Sequence, residues 1–377
     1  MASLLHRSRA SLPSAPTLLS RWFPHVQLPL VISAPMFNAS NGILAAAVSR
    51  AGGLGIVPGG WELAPGGVHL KNLDAELRAA RKALDLDDKP LTPMPVAAGL
   101  VLCKADAARR FEEGVLPLLV EHSPQGVWLF APDPDVEAEA QREGAPTPGS
   151  LRSIIGLLHH AGFVVMVQVG SVAAAREAAT YGADVIVAQG IDAGGHQLAR
   201  TASVVSLVPE VKTMLETDFP EKEIALVAAG GIVDGRGVAA ALVLGAEGAV
   251  LGTRFLLSKE ATTHAYQRKV VAETADGGLS TIKSTVHDQV RGTTVWPALY
   301  DGRAVVGTSY SEYSSGVPVE ELQKRLKEGQ ERGDHSRMVT WAGTGVGLVN
   351  EELPAGDIVR EVREAAKKRI KEVQNLV

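Results

Sequence analysis

The sequence predicts an α/β fold: a (β/α)₈ TIM barrel with a small inserted second domain. Eight apolar segments recur between residues 28 and 256, and amphipathic segments lie between them, several ending in glycine. Most of the apolar segments are continuous rather than alternating, which is typical of parallel strands buried on both faces. Eight regular units in this span favour a closed barrel over the alternative for this pattern, an open doubly wound sheet.

The element boundaries follow from the same pattern. The predicted strands are 28–36, 54–60, 95–103, 126–132, 163–170, 184–190, 224–232 and 248–256. The predicted helices include 41–52, 74–84, 171–182, 234–245 and a strongly periodic final segment, 354–373. We therefore divide the chain into a flexible N-terminal extension, the barrel, a small substrate-side domain, and a C-terminal segment whose helix returns to the barrel: 1–21, 22–257, 258–340 and 341–377.

Composition narrows the function classes. The 377 residues are 46% hydrophobic and 21% charged, which is ordinary for a globular protein, and the net charge of −5 argues against a nucleic-acid partner. No apolar run approaches the roughly 20 residues that span a bilayer.

We expect a cytoplasmic protein; the alternative is a mitochondrial one, because the N-terminus contains arginines and serines and no acid precedes Glu62. The single cysteine, Cys103, is either a nucleophile or a small apolar residue ending a strand.

Glycine turns follow the last two predicted barrel strands. Gly230 and Gly231 end the seventh strand before a helix that starts near Asp234, and Gly252 and Thr253 lie in the eighth. Barrel active sites are built at the carboxyl ends of the strands, and the turns after strands seven and eight commonly bind phosphate. We therefore predict an anion site here, to which the helix N-terminus adds oriented N–H groups.

Two further strand ends carry candidate cofactor contacts. Ala34, Pro35 and Met36 end the first strand, where a flat ring could lie against them, although Met36 could equally belong to the core. Gln168 is a polar residue that ends the very apolar fifth strand. It either reaches a ligand in the barrel mouth or satisfies a neighbouring backbone group.

The sixth strand leads into AQGIDAGGH, which ends in His196. Histidine titrates near neutrality and can accept a proton from a carbon acid, and the flanking glycines allow a tight loop beside a ring system. We predict that His196 is the catalytic base. No local spacing of His, Cys, Asp and Glu indicates a metal site.

Four segments carry a family resemblance, in the same order and covering about residues 28 to 370. They are APMFNASNGILAAAVSRAGGLGIVPGG, ADVIVAQGIDAGGHQ, LVAAGGIVDGRGVAAALVLGAEGAVLGTRFLLSKEA, and WAGTGVGLV with the PAGDIV helix that follows it. Together they resemble the nitronate monooxygenases, formerly called 2-nitropropane dioxygenases. Residues 258–340 match that family loosely, so the substrate preference stays open.

The resemblance implies a non-covalent FMN, no metal and no required nicotinamide. It implies that His196 removes the α-proton of a neutral nitroalkane, and that the nitronate is then oxidised with O₂ to a carbonyl compound and nitrite. It places the FMN phosphate at Gly230, Gly231, Gly252 and Thr253, the isoalloxazine along Ala34, Pro35 and Met36, and Gln168 near the ring. A homodimer is one assembly consistent with it.

Two other functions fit the same pattern. An NAD(P)H-dependent FMN reductase of quinones or enoyl thioesters would share the glycine turns and can carry a similar histidine. A non-catalytic flavin-binding protein would share the fold.

Overall fold

The computed structural model describes residues 16–89 and 92–376. Its strands are β1 (Leu30–Ser33), β2 (Gly55–Pro58), β3 (Met94–Val101), β4 (Pro124–Phe130), β5 (Val164–Val169), β6 (Val185–Gln189), β7 (Gly195–Leu198), β8 (Ala225–Ala229), β9 (Gly248–Leu251), β10 (Thr281–Ser284) and β11 (Tyr300–Val305). Its α-helices are α1 (Leu18–Trp22), α2 (Gly42–Arg50), α3 (Val68–Ala83), α4 (Ala105–Arg109), α5 (Phe111–His122), α6 (Pro134–Glu143), α7 (Leu151–His160), α8 (Val172–Tyr181), α9 (Val204–Asp218), α10 (Gly235–Val243), α11 (Ala265–Glu273), α12 (Gly277–Ser280), α13 (Val286–Arg291), α14 (Thr308–Ser314), α15 (Val319–Glu331) and α16 (Ala355–Gln374). Two 3₁₀ helices cover Thr253–Leu257 and Thr344–Leu348.

Eight parallel strands form the predicted barrel, in the order β1-β9-β8-β6-β5-β4-β3-β2. The two ends of this order meet at a parallel bridge between Ile32 and Leu54. Leu54 N–H donates to the Val31 carbonyl at 3.0 Å, and Ser33 N–H donates to the Leu54 carbonyl at 3.1 Å. These bonds close the sheet, so the fold is a barrel rather than an open sheet.

The barrel interior is filled by side chains and is capped at its amino end by α1. Leu19 of α1 and Phe23 just after it are fully buried among residues of β1, β4 and β8. Glu247 accepts a hydrogen bond from Leu19 N–H at 3.2 Å and ties the helix to the turn before β9. The expectation of a flexible extension to residue 21 is therefore wrong for residues 16–21, because apolar burial orders them. Residues 1–15, which contain most of the arginines and serines behind the mitochondrial alternative, lie outside the described residues.

Two predicted elements differ in type from those observed. The eighth barrel strand, predicted over 248–256, ends at Leu251 and continues as the 3₁₀ helix Thr253–Leu257. This helix is as buried as a strand would be, so hydrophobicity alone does not separate the two. Strand β7 lies in the segment that was predicted to be the loop after the sixth strand.

A second unit covers the carboxyl end of the barrel. Its antiparallel sheet has the order β10-β11-β7, so it takes one strand from the loop after β6 and two from region 258–340. Helices α13 and α15 form a small apolar cluster of their own through Val286, Val290, Leu322 and Leu326. Because β7 is shared, the unit is joined to the barrel by a sheet as well as by the chain.

The final helix lies against the barrel wall. A Cβ on Gly235 in α10 would come within 2.4 Å of the Ala366 nitrogen in α16, so glycine allows the close approach of these helices. Arg363 of α16 donates to the Gln27 side chain and to the Ala51 carbonyl, both at 2.9 Å. Among the described residues no helix is long and apolar enough to cross a membrane.

The amino-end cap gives the fold a pH dependence. His25 contacts the Gly53 carbonyl through Nε2 at 3.1 Å, and burial lowers the pKa of His25 from 6.5 to about 4. The unfolded chain therefore binds a proton at a higher pH than the folded chain does. Stability from this group is complete above pH 6.5 and is lost as the pH falls towards 4. The full loss is on the order of 3 kcal/mol, from 1.36 kcal/mol for each pKa unit.

We expect the His25→Asn variant to lose less stability than the parent chain between pH 6.5 and 4. Urea unfolding at several pH values measures this difference. The contribution of the carboxyl groups is the same in both chains, so it cancels when the two are compared. His160→Asn, at the exposed end of α7, is the control, and its free energy of unfolding should change with pH as that of the parent chain does. The same pH dependence in His25→Asn and the parent chain would contradict the lowered pKa of His25.

Candidate active site

A cavity of about 510 Å³ opens at the carboxyl end of the barrel. All eight barrel strands contribute to its wall, either by their last residues or by the turns after them. The second unit forms the opposite wall with side chains of α13, the following loop and the segment before the second 3₁₀ helix. Every predicted site residue lines this cavity: Ala34, Pro35, Met36, Gln168, His196, Gly230, Gly231, Gly252 and Thr253.

The two glycine turns present backbone N–H groups without protein partners. Among the described residues, the N–H groups of Gly230, Gly231, Gly252 and Thr253 donate no hydrogen bond. Gly230 and Gly231 have φ of 107° and 72°, a region that favours glycine. The buried Thr253 hydroxyl accepts from Gly343 N–H at 3.0 Å and can still donate its own hydrogen. Converging free donors of this kind suit a phosphate.

The helix after the first glycine turn begins with an acidic N-cap, Asp234. The Asp234 carboxylate accepts from the N–H groups of Arg236 and Gly237 at 2.9 and 3.0 Å. An acidic N-cap uses two of the free donors of α10, and its charge opposes a second anion at this end of the helix. The N-terminus of α10 is therefore already capped by a protein carboxylate. The free donors belong to the glycine turns and to the start of the 3₁₀ helix after β9.

The turn after β1 lies beside the second glycine turn. A Cβ built on Gly252 would be 3.6 Å from Ala34 Cβ and 3.7 Å from Met36 Sδ. Met36 N–H donates to the Ser40 hydroxyl at 2.8 Å, which fixes the turn, and its side chain packs on two apolar clusters. Met36 thus has both of the roles considered from sequence: it lines the cavity and belongs to the core.

Gln168 takes part in a chain of side-chain hydrogen bonds across the barrel mouth. Its Oε1 accepts from Trp128 Nε1 at 3.0 Å, and its Nε2 donates to Gln189 Oε1 at 2.7 Å. Gln189 Nε2 in turn donates to the His196 carbonyl at 3.3 Å. Gln168 therefore bonds to side chains rather than to the backbone group suggested from sequence. Gln189, which ends β6, has the same strand-end signal and was missed.

His196 lies on β7, opposite Gly302 of β11, and not in an open loop. Its Nε2 is 2.7 Å from Asp288 Oδ2, and among the described residues its Nδ1 has no hydrogen-bond partner. The imidazole stacks on Trp296, with ring centroids 3.9 Å apart, and lies at an angle to Trp341 at 4.8 Å. An ionised carboxylate only accepts hydrogen bonds, so Asp288 favours the tautomer that carries its proton on Nε2.

Asp288 is itself held in place. Its exposed side-chain fraction is 8%, and its second oxygen, Oδ1, accepts from the Thr293 hydroxyl at 2.7 Å. No local pattern points to this residue, because it lies 92 positions from His196 in a polar region without clear periodicity. Only the pairing of β7 with β11 brings α13 next to the histidine.

Aromatic rings form another part of the wall. Trp61 packs edge-on against His69 at 4.5 Å and lies 6.4 Å from Trp296 between ring centroids. His69 Nδ1 accepts from the N–H groups of Trp61 and Glu62 at 3.2 and 2.9 Å. Burial lowers the pKa of His69, which keeps its ring neutral and able to accept these bonds. The result is a fixed apolar surface near His196.

Two other chemical groups lie away from the cavity wall. Burial raises the pKa of Cys103 to about 12, so the thiol stays protonated and fits the small apolar residue rather than the nucleophile. Asp74, Glu121 and His122 are close enough to hold a metal ion, a grouping that local spacing did not reveal. Arg78, however, already pairs with Asp74 at 3.0 Å and with Glu121 at 2.9 Å.

Comparisons with known proteins agree on one family. The family model described as nitronate monooxygenase matches residues 23–364. The chain is 55% identical to the nitronate monooxygenase of Neurospora crassa over 98% of this chain and 97% of the relative. It is 37% identical to a nitronate monooxygenase of Metarhizium robertsii over 93% and 94%.

Solved structures agree on the fold. FabK of Thermotoga maritima matches with a TM-score of 0.72 and 23% identity, over 97% of this chain and 100% of that chain. The nitroalkane oxidase of Streptomyces ansochromogenes matches with a TM-score of 0.70 and 23% identity, over 94% and 99%. At this identity the structural matches support the barrel alone, whereas the sequence matches over nearly the whole length show that the chain belongs to the nitronate monooxygenase family.

Proposed function

We propose that this oxidoreductase is an FMN-dependent nitronate monooxygenase, which oxidises alkyl nitronates with O₂ to carbonyl compounds and nitrite and also accepts neutral nitroalkanes. The observation that carries the proposal is the His196–Asp288 pair, at 2.7 Å, in a cavity that also contains a phosphate-sized set of free N–H donors. The family match supports the reaction class.

The residues present fit FMN. The free N–H groups of the two glycine turns and the Thr253 hydroxyl would hold the phosphate. Ala34, Pro35 and Met36 would lie along the isoalloxazine, with Gln168 near the ring, since all four line the same cavity. When bound, FMN supplies electron transfer from the nitronate to O₂.

His196 would act on the neutral nitroalkane. The Nδ1 lone pair accepts the proton on the carbon next to the nitro group, and the electron pair of the C–H bond moves to the nitro oxygens. Asp288 then faces the imidazolium that forms and stabilises its charge. A nitronate that arrives already deprotonated does not need this step, so the histidine should matter much less for it.

The aromatic wall would position the alkyl part of the substrate. Trp296 stacks on the His196 ring and restricts its rotation, while Trp61 and Phe130 flank Trp296 at 6.4 and 5.9 Å between centroids. Apolar surface of this kind also excludes water from the base.

We expect His196→Asn to lower the turnover of a neutral nitroalkane by about 10²- to 10⁴-fold, the usual contribution of a general base. Its turnover of the matching nitronate should fall less than about tenfold, because that substrate needs no base. Asp288→Asn, which keeps the shape and loses the charge, should act in the same direction and alter the pH profile for the neutral substrate only. Nitrite release and O₂ uptake measure both reactions. Equal loss on the two substrate forms would mean that His196 is not a base.

We expect Gly252→Val to weaken FMN binding by tenfold or more, that is by about 1.4 kcal/mol or more. Gly252 has φ of −104°, so valine meets no left-handed strain, and its Cβ would make only ordinary contacts with Ala34 and Met36. The added methyl groups should therefore crowd the phosphate turn without unfolding the barrel. Quenching of FMN fluorescence on titration with the apoprotein gives the Kd.

The matched control for this variant is Gly162→Val. Gly162 has φ of 85°, is exposed and precedes β5 at the opposite end of the barrel, so valine there should reduce stability and leave FMN affinity unchanged. Full FMN affinity in Gly252→Val would refute the phosphate assignment.

A further inference from the structure

One cation of the cavity wall has no acidic partner. Arg291 is the last residue of α13, is exposed, and lines the cavity. Its guanidinium carbon lies 5.7 Å from the centroid of the Trp341 ring, which also packs against the His196 ring at 4.8 Å. Among the described residues no carboxylate lies within 4 Å of this guanidinium, and no protein group accepts a hydrogen bond from it.

The nearest acid is already engaged. Asp288, one turn earlier on the same helix, uses Oδ2 for His196 and Oδ1 for the Thr293 hydroxyl, both at 2.7 Å. It attracts Arg291 through space without a direct bond. The N–H groups of Arg291 are therefore free for a ligand.

Two other arginines beside this part of the barrel have protein partners. Arg303 donates to the Ile191 carbonyl at 3.3 Å and to the Thr281 hydroxyl at 3.1 Å. Arg254 donates to the Glu351 carbonyl at 2.9 Å. Neither of them lines the cavity. Arg291 thus differs from both in location and in the availability of its donors.

We propose that Arg291 binds the two oxygens of the nitronate group and selects the anionic substrate. A guanidinium presents parallel N–H donors that match two oxygens on one planar centre, and a nitronate has this geometry and a negative charge. This inference rests on the proposed function. It names the group that recognises the substrate anion at the same site.

The same contact would assist the reaction of the neutral substrate. When His196 Nδ1 accepts the carbon-bound proton, the electron pair of that bond moves to the nitro oxygens, which gain the negative charge. A fixed cation at those oxygens stabilises the charge as it develops. Arg291 therefore should affect the binding of the nitronate and the deprotonation of the nitroalkane.

The test compares Arg291→Gln, Arg291→Lys and the control Arg332→Gln, all as holoenzymes. Arg332 is exposed at the end of α15 in the same unit and does not line the cavity, so its variant changes the net charge equally. We expect Arg291→Gln to raise the KM for a nitronate by about 10- to 100-fold, as for loss of a charge-assisted hydrogen-bonded pair. Arg291→Lys should recover part of this loss, and Arg332→Gln should match the parent enzyme.

A binding measurement separates substrate recognition from catalysis. Nitrate is a planar anion that is not oxidised by the enzyme, and its binding can be followed by the change in flavin absorbance. We expect its Kd to rise at least about tenfold in Arg291→Gln and to stay unchanged in Arg332→Gln. Unchanged nitronate KM and nitrate Kd in Arg291→Gln would overturn the inference.

The flavin content of the purified variant tests whether Arg291 binds the FMN phosphate. If Arg291 binds the FMN phosphate instead of the nitronate, Arg291→Gln will lose FMN on purification, and that result also overturns the inference. Failure of the proposed function would give a different result. The parent enzyme would not oxidise any nitronate, while nitrate binding would still depend on Arg291.

Discussion

The candidate site depends on the antiparallel pairing of β7 with β11. This pairing joins the loop after the sixth barrel strand to a unit that the chain reaches only after the barrel is complete. It fixes His196 on a strand instead of a loop and brings Asp288 within 2.7 Å of it. Without the pairing, the barrel would still present the free N–H groups of its glycine turns, but the histidine would have neither its carboxylate partner nor its aromatic neighbours.

Close backbone contacts connect the segment before β7 to the second glycine turn. A Cβ on Gly194 would lie 2.4 Å from the Ala342 carbonyl carbon, and one on Gly343 would lie 2.5 Å from the Asp192 carbonyl oxygen. Only glycine permits this approach at both positions. Thr344 N–H donates to the Asp192 carbonyl, and Gly343 N–H donates to the Thr253 hydroxyl, both at 3.0 Å. The loop before His196, the C-terminal segment and the second glycine turn are thus held as one assembly.

The sequence allowed the barrel to be predicted because its strands are continuous apolar runs, a signal that does not depend on distant partners. Strand β7 (Gly195–Leu198) was missed for the opposite reason: its sequence, GHQL, has little intrinsic preference for a strand, and its pairing comes from β11. His196 was found from its place after a strand and two glycines, whereas Asp288 and Arg291 lie on a short helix whose position is set by tertiary contacts. The cap of α10 has a local signal, since Asp234 is a common N-cap residue and could have been assigned that role from the sequence.

The most direct test of the proposed function is anaerobic mixing of the FMN-loaded protein with either a nitronate or NADH, followed by flavin absorbance. The proposed function places the reducing substrate beside His196 and Arg291 and requires no nicotinamide. It therefore predicts rapid bleaching of the flavin by the nitronate and none, or only slow bleaching, by NADH. Rapid bleaching by NADH with none by the nitronate would contradict it and would identify the protein as a nicotinamide-dependent flavin reductase on the same barrel.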